Sequence, residues 1–132
     1  MANLNFSFEK AYDTISINDK DYKLYYDDDS LRKYQDQALK YKKEVDKYLK
    51  KQKKIENMTE QQQKELEEKG MVFVREFVET FYGEGSYETL YQASGKSMIN
   101  FMPLIEYTLD WLDSKVPDLD EKKKAYYTKK RK

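Results

Sequence analysis

The chain has 132 residues, no cysteine and no histidine, and its 25 basic and 25 acidic residues cancel. That length suits one domain with a modest core. The missing residue types exclude disulfides, thiolate chemistry and cysteine or histidine zinc sites, and the balanced charge leaves no overall field to draw nucleic acid or anionic lipid.

The first 26 residues alternate in hydropathy. Leu4, Phe6 and Phe8 share one face, followed by Ile15 and Ile17, then Tyr22, Leu24 and Tyr26. Period two predicts half-buried strands, and Asn18-Asp19-Lys20-Asp21 supplies turn chemistry between the last two, so a hairpin is expected over 14–26. The run 3–8 is a candidate third strand, joined through Glu9 to Asp13. An isolated hairpin is marginal in water, so its apolar face must rest on helices.

After Asp27-Asp28-Asp29-Ser30 the spacing changes to three and four, through Leu31, Tyr34, Ala38, Tyr41, Val45 and Tyr48. This is the stripe of an amphipathic helix, roughly 35 Å long if it runs to Ile55, with acidic residues at its positive end. Lys47, Lys50, Lys51, Lys53 and Lys54 complement the negative end. Thr59 and Gln62 have capping-box spacing and open a second helix from 60 to Tyr82, polar up to Lys69 and apolar after Gly70. The two helices are expected to form an antiparallel hairpin whose solvated end, near 50–65, projects from the body.

Gly83-Glu84-Gly85 ends the second helix, and Ser86 opens a short third one over 86–93, closed by Gly95. A fourth begins near Ser97 with a buried stripe of Met98, Phe101, Met102, Ile105, Leu109 and Leu112, widened by Tyr107 and Trp111. Pro103 falls in its first two turns, where a missing donor costs little. Pro117 is expected to end it, with Asp118-Leu119-Asp120 capping a last helix. The tail from Lys122 to Lys132 has seven basic residues and no acidic one. The expected organisation is therefore a single domain over 1–132: a hairpin region (1–26), a helical body (27–116) and a basic tail (117–132). The fold class is α+β, mostly α, with the hairpin, of two or three strands, packed on three to four main helices.

No catalytic motif is present. Ser94-Gly95-Lys96-Ser97 resembles the end of a phosphate loop, but the required upstream glycine is Leu90. Gly83-Glu84-Gly85 follows a helix where a dinucleotide loop follows a strand. Asp27, Asp28 and Asp29 lack the further carboxylates and glycine of a calcium loop. Without a nucleophile or a selected carboxylate pair the chain reads as a binding protein, neither an enzyme nor a holder of cofactor or metal. Thirteen tyrosines in a chain only 39% hydrophobic thicken a thin core and leave some rings for contact with a partner. Tyr87, Tyr91, Phe101 and Tyr107, around the 83–97 junction and on the widened edge of the fourth helix, are the candidates for that contact. The opening residues lack a basic stretch followed by an apolar run, and no segment reaches the roughly 20 apolar residues of a membrane span, so a soluble intracellular chain is expected.

The order of elements carries a resemblance. A hairpin from Ile15 to Tyr26 passes through Tyr25-Tyr26-Asp27-Asp28-Asp29-Ser30-Leu31 into a long charged helix. A second helix leads to Phe81-Tyr82-Gly83-Glu84-Gly85-Ser86-Tyr87-Glu88-Thr89-Leu90-Tyr91, and a closing helix precedes a lysine-rich end. From about Ile15 to Trp111 the chain resembles the small tail assembly chaperones of long-tailed phages and prophages of Gram-positive bacteria. The resemblance implies a protein that coats the tape-measure protein, keeps its apolar faces from aggregating and helps bring tail tube subunits to it. It would act in the cytoplasm of the bacterial host and be absent from the finished tail. It also implies a longer product of ribosomal frameshifting, for which a slippery codon run at Lys129-Lys130 is a candidate. Self-association stays open. The alternatives are a structural or adaptor protein of the phage particle and a small nucleic-acid-binding regulator acting through the tail, where Tyr126 and Tyr127 lie among the basic residues.

Overall fold

The structure, a computed structural model, describes residues 3–130 and the side chains of residues 3–116. Its elements run β1 (Tyr12–Ile17), β2 (Lys20–Tyr25), α1 (Asp28–Gln52), a single 3-10 turn (Ile55–Asn57), α2 (Glu60–Tyr82), α3 (Ser86–Ala93) and α4 (Met98–Lys130). A mostly helical α+β fold results, with one two-stranded antiparallel hairpin packed on four helices.

Asn18 and Asp19 both take positive φ (47° and 68°), the backbone of a two-residue turn whose twist suits a hairpin. The register pairs Ile15 with Tyr22 and Asp13 with Leu24, which turns Ile15, Ile17, Tyr22 and Leu24 toward the helices. Asn18 Nδ2 donates to the Ala93 carbonyl at 3.1 Å and ties the hairpin tip to the end of α3. At the other end, Trp111 Nε1 donates to Asp13 Oδ2 at 2.8 Å, and Lys115 Nζ lies 3.2 Å from the same oxygen.

The expected third strand does not form. Residues 3–10 have no regular secondary structure and their side chains are exposed. Period-two hydropathy suits a strand, but a strand also needs an edge to pair with, and this segment lies along none.

Asp27 caps α1, its carboxylate accepting from Ser30 N–H at 3.1 Å. Thr59 and Gln62 form the reciprocal capping box that opens α2. Gly70 does not interrupt α2: a Cβ there would lie 3.1 Å from the Tyr48 ring, so the glycine lets α1 and α2 approach closely. Their near halves carry the core, with Tyr34 stacked on Phe81 at 4.3 Å and Tyr41 against Phe77 at 4.8 Å. No side chain between Tyr41 and Leu66 is fully buried, as expected of a projecting end.

One boundary differs from expectation. Pro117 does not end the fourth helix, which continues to Lys130 without a separate last helix. A proline removes one intrahelical bond. The residues around Pro117 include no glycine or asparagine to open the left-handed exit that usually closes a helix. The side chains of the basic tail, Lys122 to Lys132, lie outside the described residues.

Candidate partner-binding site

Three of the four aromatic residues singled out in the sequence come together. The Tyr87 and Tyr91 rings stack at 5.7 Å with 6° between their planes, and Phe101 stands edge-on to both at 5.6 and 6.2 Å. The spacing of four along α3 places both tyrosines over α4. Tyr87 and Phe101 are fully buried and belong to the core, so neither offers a surface. Burial pushes the Tyr87 phenol above its ordinary value, and its hydroxyl finds no hydrogen-bond partner among the described residues. Tyr91 is half-buried, with its hydroxyl donating to the Lys96 carbonyl at 3.0 Å.

Tyr107 stands apart, 58% exposed on the outer side of α4. Ile99 (87% exposed) and Pro103 precede it at intervals of four, so these three form an uncovered apolar ridge. The four-residue spacing was legible in the sequence. Which ridge of α4 faces solvent was not, because apolar residues lie on both sides of the helix.

A concave feature with an apolar floor lies elsewhere, between α1 and α2. Its floor is Tyr48, Leu66, Val72 and Phe73, and lysines 40, 47, 51 and 69 stand around it, enclosing about 430 Å³. Lys40 Nζ meets Glu76 Oε2 at 2.9 Å across one end, which raises the lysine pKa through that hydrogen bond. A smaller hollow of about 210 Å³ shares Lys51, Leu66 and Lys69 and carries the depression on to Met58. Along α1, from Lys40 to Lys51, the groove spans roughly 17 Å at 1.5 Å per residue, about three turns of a partner helix. Apolar floor with charged rim is the form that takes an amphipathic helix. Sequence reasoning placed Tyr48 on the stripe of α1 and an apolar half after Gly70 on α2 but did not locate this cleft. Gly70 and Tyr48 bring the helices close there, and beyond them Leu66 is the one buried side chain of the two helices.

The remaining motifs take structural roles. Hydrogen bonds from Ser30 hold the Asp27 carboxyl below the ordinary carboxylate range at the start of α1. Ser94 Oγ donates to the Tyr91 carbonyl at 2.6 Å, and Gly95 and Lys96 take positive φ (80° and 57°), so this stretch is the stop of α3. Among the described residues no group of three or more acidic, histidine or cysteine side chains is placed to hold a metal ion, and no helix is long and apolar enough to cross a membrane. No family model, curated protein or solved structure matches this chain.

Proposed function

We propose that this protein is a tail assembly chaperone that receives amphipathic helical segments of the tape-measure protein in the α1/α2 groove and holds them in solution while the tail tube protein assembles. The single observation that carries the reading is that groove, long enough for about three helical turns, with Tyr48, Leu66, Val72 and Phe73 as its floor. The resemblance in element order to phage tail assembly chaperones agrees with it. On this reading the chain works by contact alone, with no chemical step, in the cytoplasm of the host, and leaves before the tail is complete. Met58, at the far end of the groove, suits a site that accepts varied apolar sequence because its side chain adapts its shape.

Coexpression with the tape-measure protein tests the proposal, scoring the soluble fraction of that protein and its copurification. Rescue of solubility together with a complex is the expected result. Val72→Glu places a charge on an exposed floor position, so it should abolish copurification while the far-UV spectrum stays unchanged. A tape-measure protein that stays insoluble, or a complex indifferent to Val72→Glu, refutes the proposal.

A further inference from the structure

Leu4, Phe6 and Phe8 are 95%, 82% and 89% exposed, among the most exposed large apolar side chains of the fold. The Phe6 and Phe8 rings lie on one side of the chain, 4.8 Å apart. The segment is therefore an extended apolar arm with polar Asn5 and Ser7 between. Its root is held: Tyr26 N–H donates to the Ala11 carbonyl at 2.9 Å and Tyr26 Oη donates to the Lys10 carbonyl at 3.0 Å. Only Glu9 and Lys10 separate Phe8 from Ala11, and neither has the positive φ of the two-residue turns that join hairpin strands. The arm leads into β1 and is not folded back along it.

β1 meanwhile has an open edge. The two-residue turn makes Ile17 and Lys20 a mutually bonded pair, so residues 13, 15 and 17 direct their backbone groups to β2. Tyr12, Thr14 and Ser16 direct theirs outward, where no backbone hydrogen bond reaches them among the described residues. Among the described residues the chain thus carries both an unpaired edge and an unpaired strand-like arm that does not pair with that edge in its own copy.

We propose that two copies exchange these arms, each arm adding antiparallel to the β1 edge of the other to give a sheet in the order β2-β1-β1-β2. A two-fold axis normal to a sheet leaves every residue on its own face, so paired residues must be both even or both odd in number. Leu4, Phe6 and Phe8 meet that condition with Tyr12, Thr14 and Ser16. On the shared face they join the Tyr12 and Tyr25 rings, themselves 5.7 Å apart. The four phenylalanines of such a dimer offer roughly 600–1,000 Å². With the leucines and the backbone ladder, the surface open to exchange is at most comparable with the roughly 1,000 Å² of a specific interface.

Light scattering and sedimentation of the full chain, from low to high micromolar concentration, test the exchange. The wild type should show twice the chain mass. Phe6→Ser with Phe8→Ser should leave a folded monomer with an unchanged far-UV spectrum, because these rings are more than four-fifths exposed and pack on each other alone. Thr14→Pro should do the same, since the lost N–H faces outward and is not bonded to β2. If Thr14→Pro unfolds the hairpin, the double serine variant decides. A wild type that is monomeric throughout, or a dimer that survives the serine substitutions, overturns the proposal.

Discussion

The buried contact between α2 and α4 rests on two hydroxyls whose removal should have unequal effects. Tyr82 Oη lies 2.6 Å from Thr108 Oγ1, and Thr108 in turn lies 2.7 Å from the Leu104 carbonyl. A carbonyl only accepts, so the Thr108 proton goes to Leu104 and the phenol donates to Thr108. Tyr82→Phe removes one bond and orphans no donor, at about 1 kcal/mol. Thr108→Val keeps the shape but leaves the buried phenol without an acceptor, at about 2–3 kcal/mol. Once the phenol is gone, Thr108→Val should add only about 0.5 kcal/mol, so the double variant should cost about 1.5–2.5 kcal/mol less than the two singles together. Urea unfolding followed by circular dichroism measures all four corners of the cycle. The phenol also sets a pH dependence, because burial pushes the Tyr82 pKa up to about 12. The fold favours the neutral phenol, so its contribution is fully present below pH ~10 and is lost as pH rises through the folded value. That loss amounts to about 2–3 kcal/mol by the top of the window. Tyr34, Tyr41 and Tyr87 are raised by burial too, and the difference between wild type and Tyr82→Phe isolates the share of Tyr82. An additive double variant, or alkaline unfolding curves that stay parallel, would refute the assignment of donor and acceptor.

Three further outcomes follow from the same structure. Tyr87→Ala and Phe101→Ala should each lower stability by about 3–5 kcal/mol, whereas Tyr107→Ala should stay within about 0.5 kcal/mol, as thermal midpoints will show. Asp13 is held below the ordinary carboxylate range, first by the Trp111 hydrogen bond and then by Lys115. Its contribution is therefore present at neutral pH and lost as pH falls through the folded value. Asp13→Asn should flatten the acid limb of the stability curve by less than about 1 kcal/mol, because the carboxylate is 46% exposed. Gly83 closes α2 at φ 106° and ψ 164°, a backbone that side chains strain to adopt. Gly83→Ala should cost about 1–3 kcal/mol in urea unfolding even though the space beside it is open.

The elements specified by short-range chemistry were legible before any coordinates. Asn18 and Asp19 make the turn, Asp27 and Thr59 start the long helices, and Gly83 and Gly95 sit at the stops of α2 and α3, because capping and positive φ act over a few residues. Tertiary structure decided whatever depended on a distant partner. The run 3–8 has the hydropathy of a strand but lies along no edge within its own chain. Pro117 looked like a stop, yet nothing beside it turns the backbone away from α4. Tyr87 and Tyr107 are the same residue type on neighbouring helices, and only the packing of α3 against α4 sends one into the core and leaves the other in water. The link from Asp13 to Trp111 spans 98 positions, and local periodicity carries no information over that range. The helical spacing of each stripe is a property of the sequence. Which stripes meet, and which groove or ridge is left uncovered, follows from how five amphipathic elements share one small core.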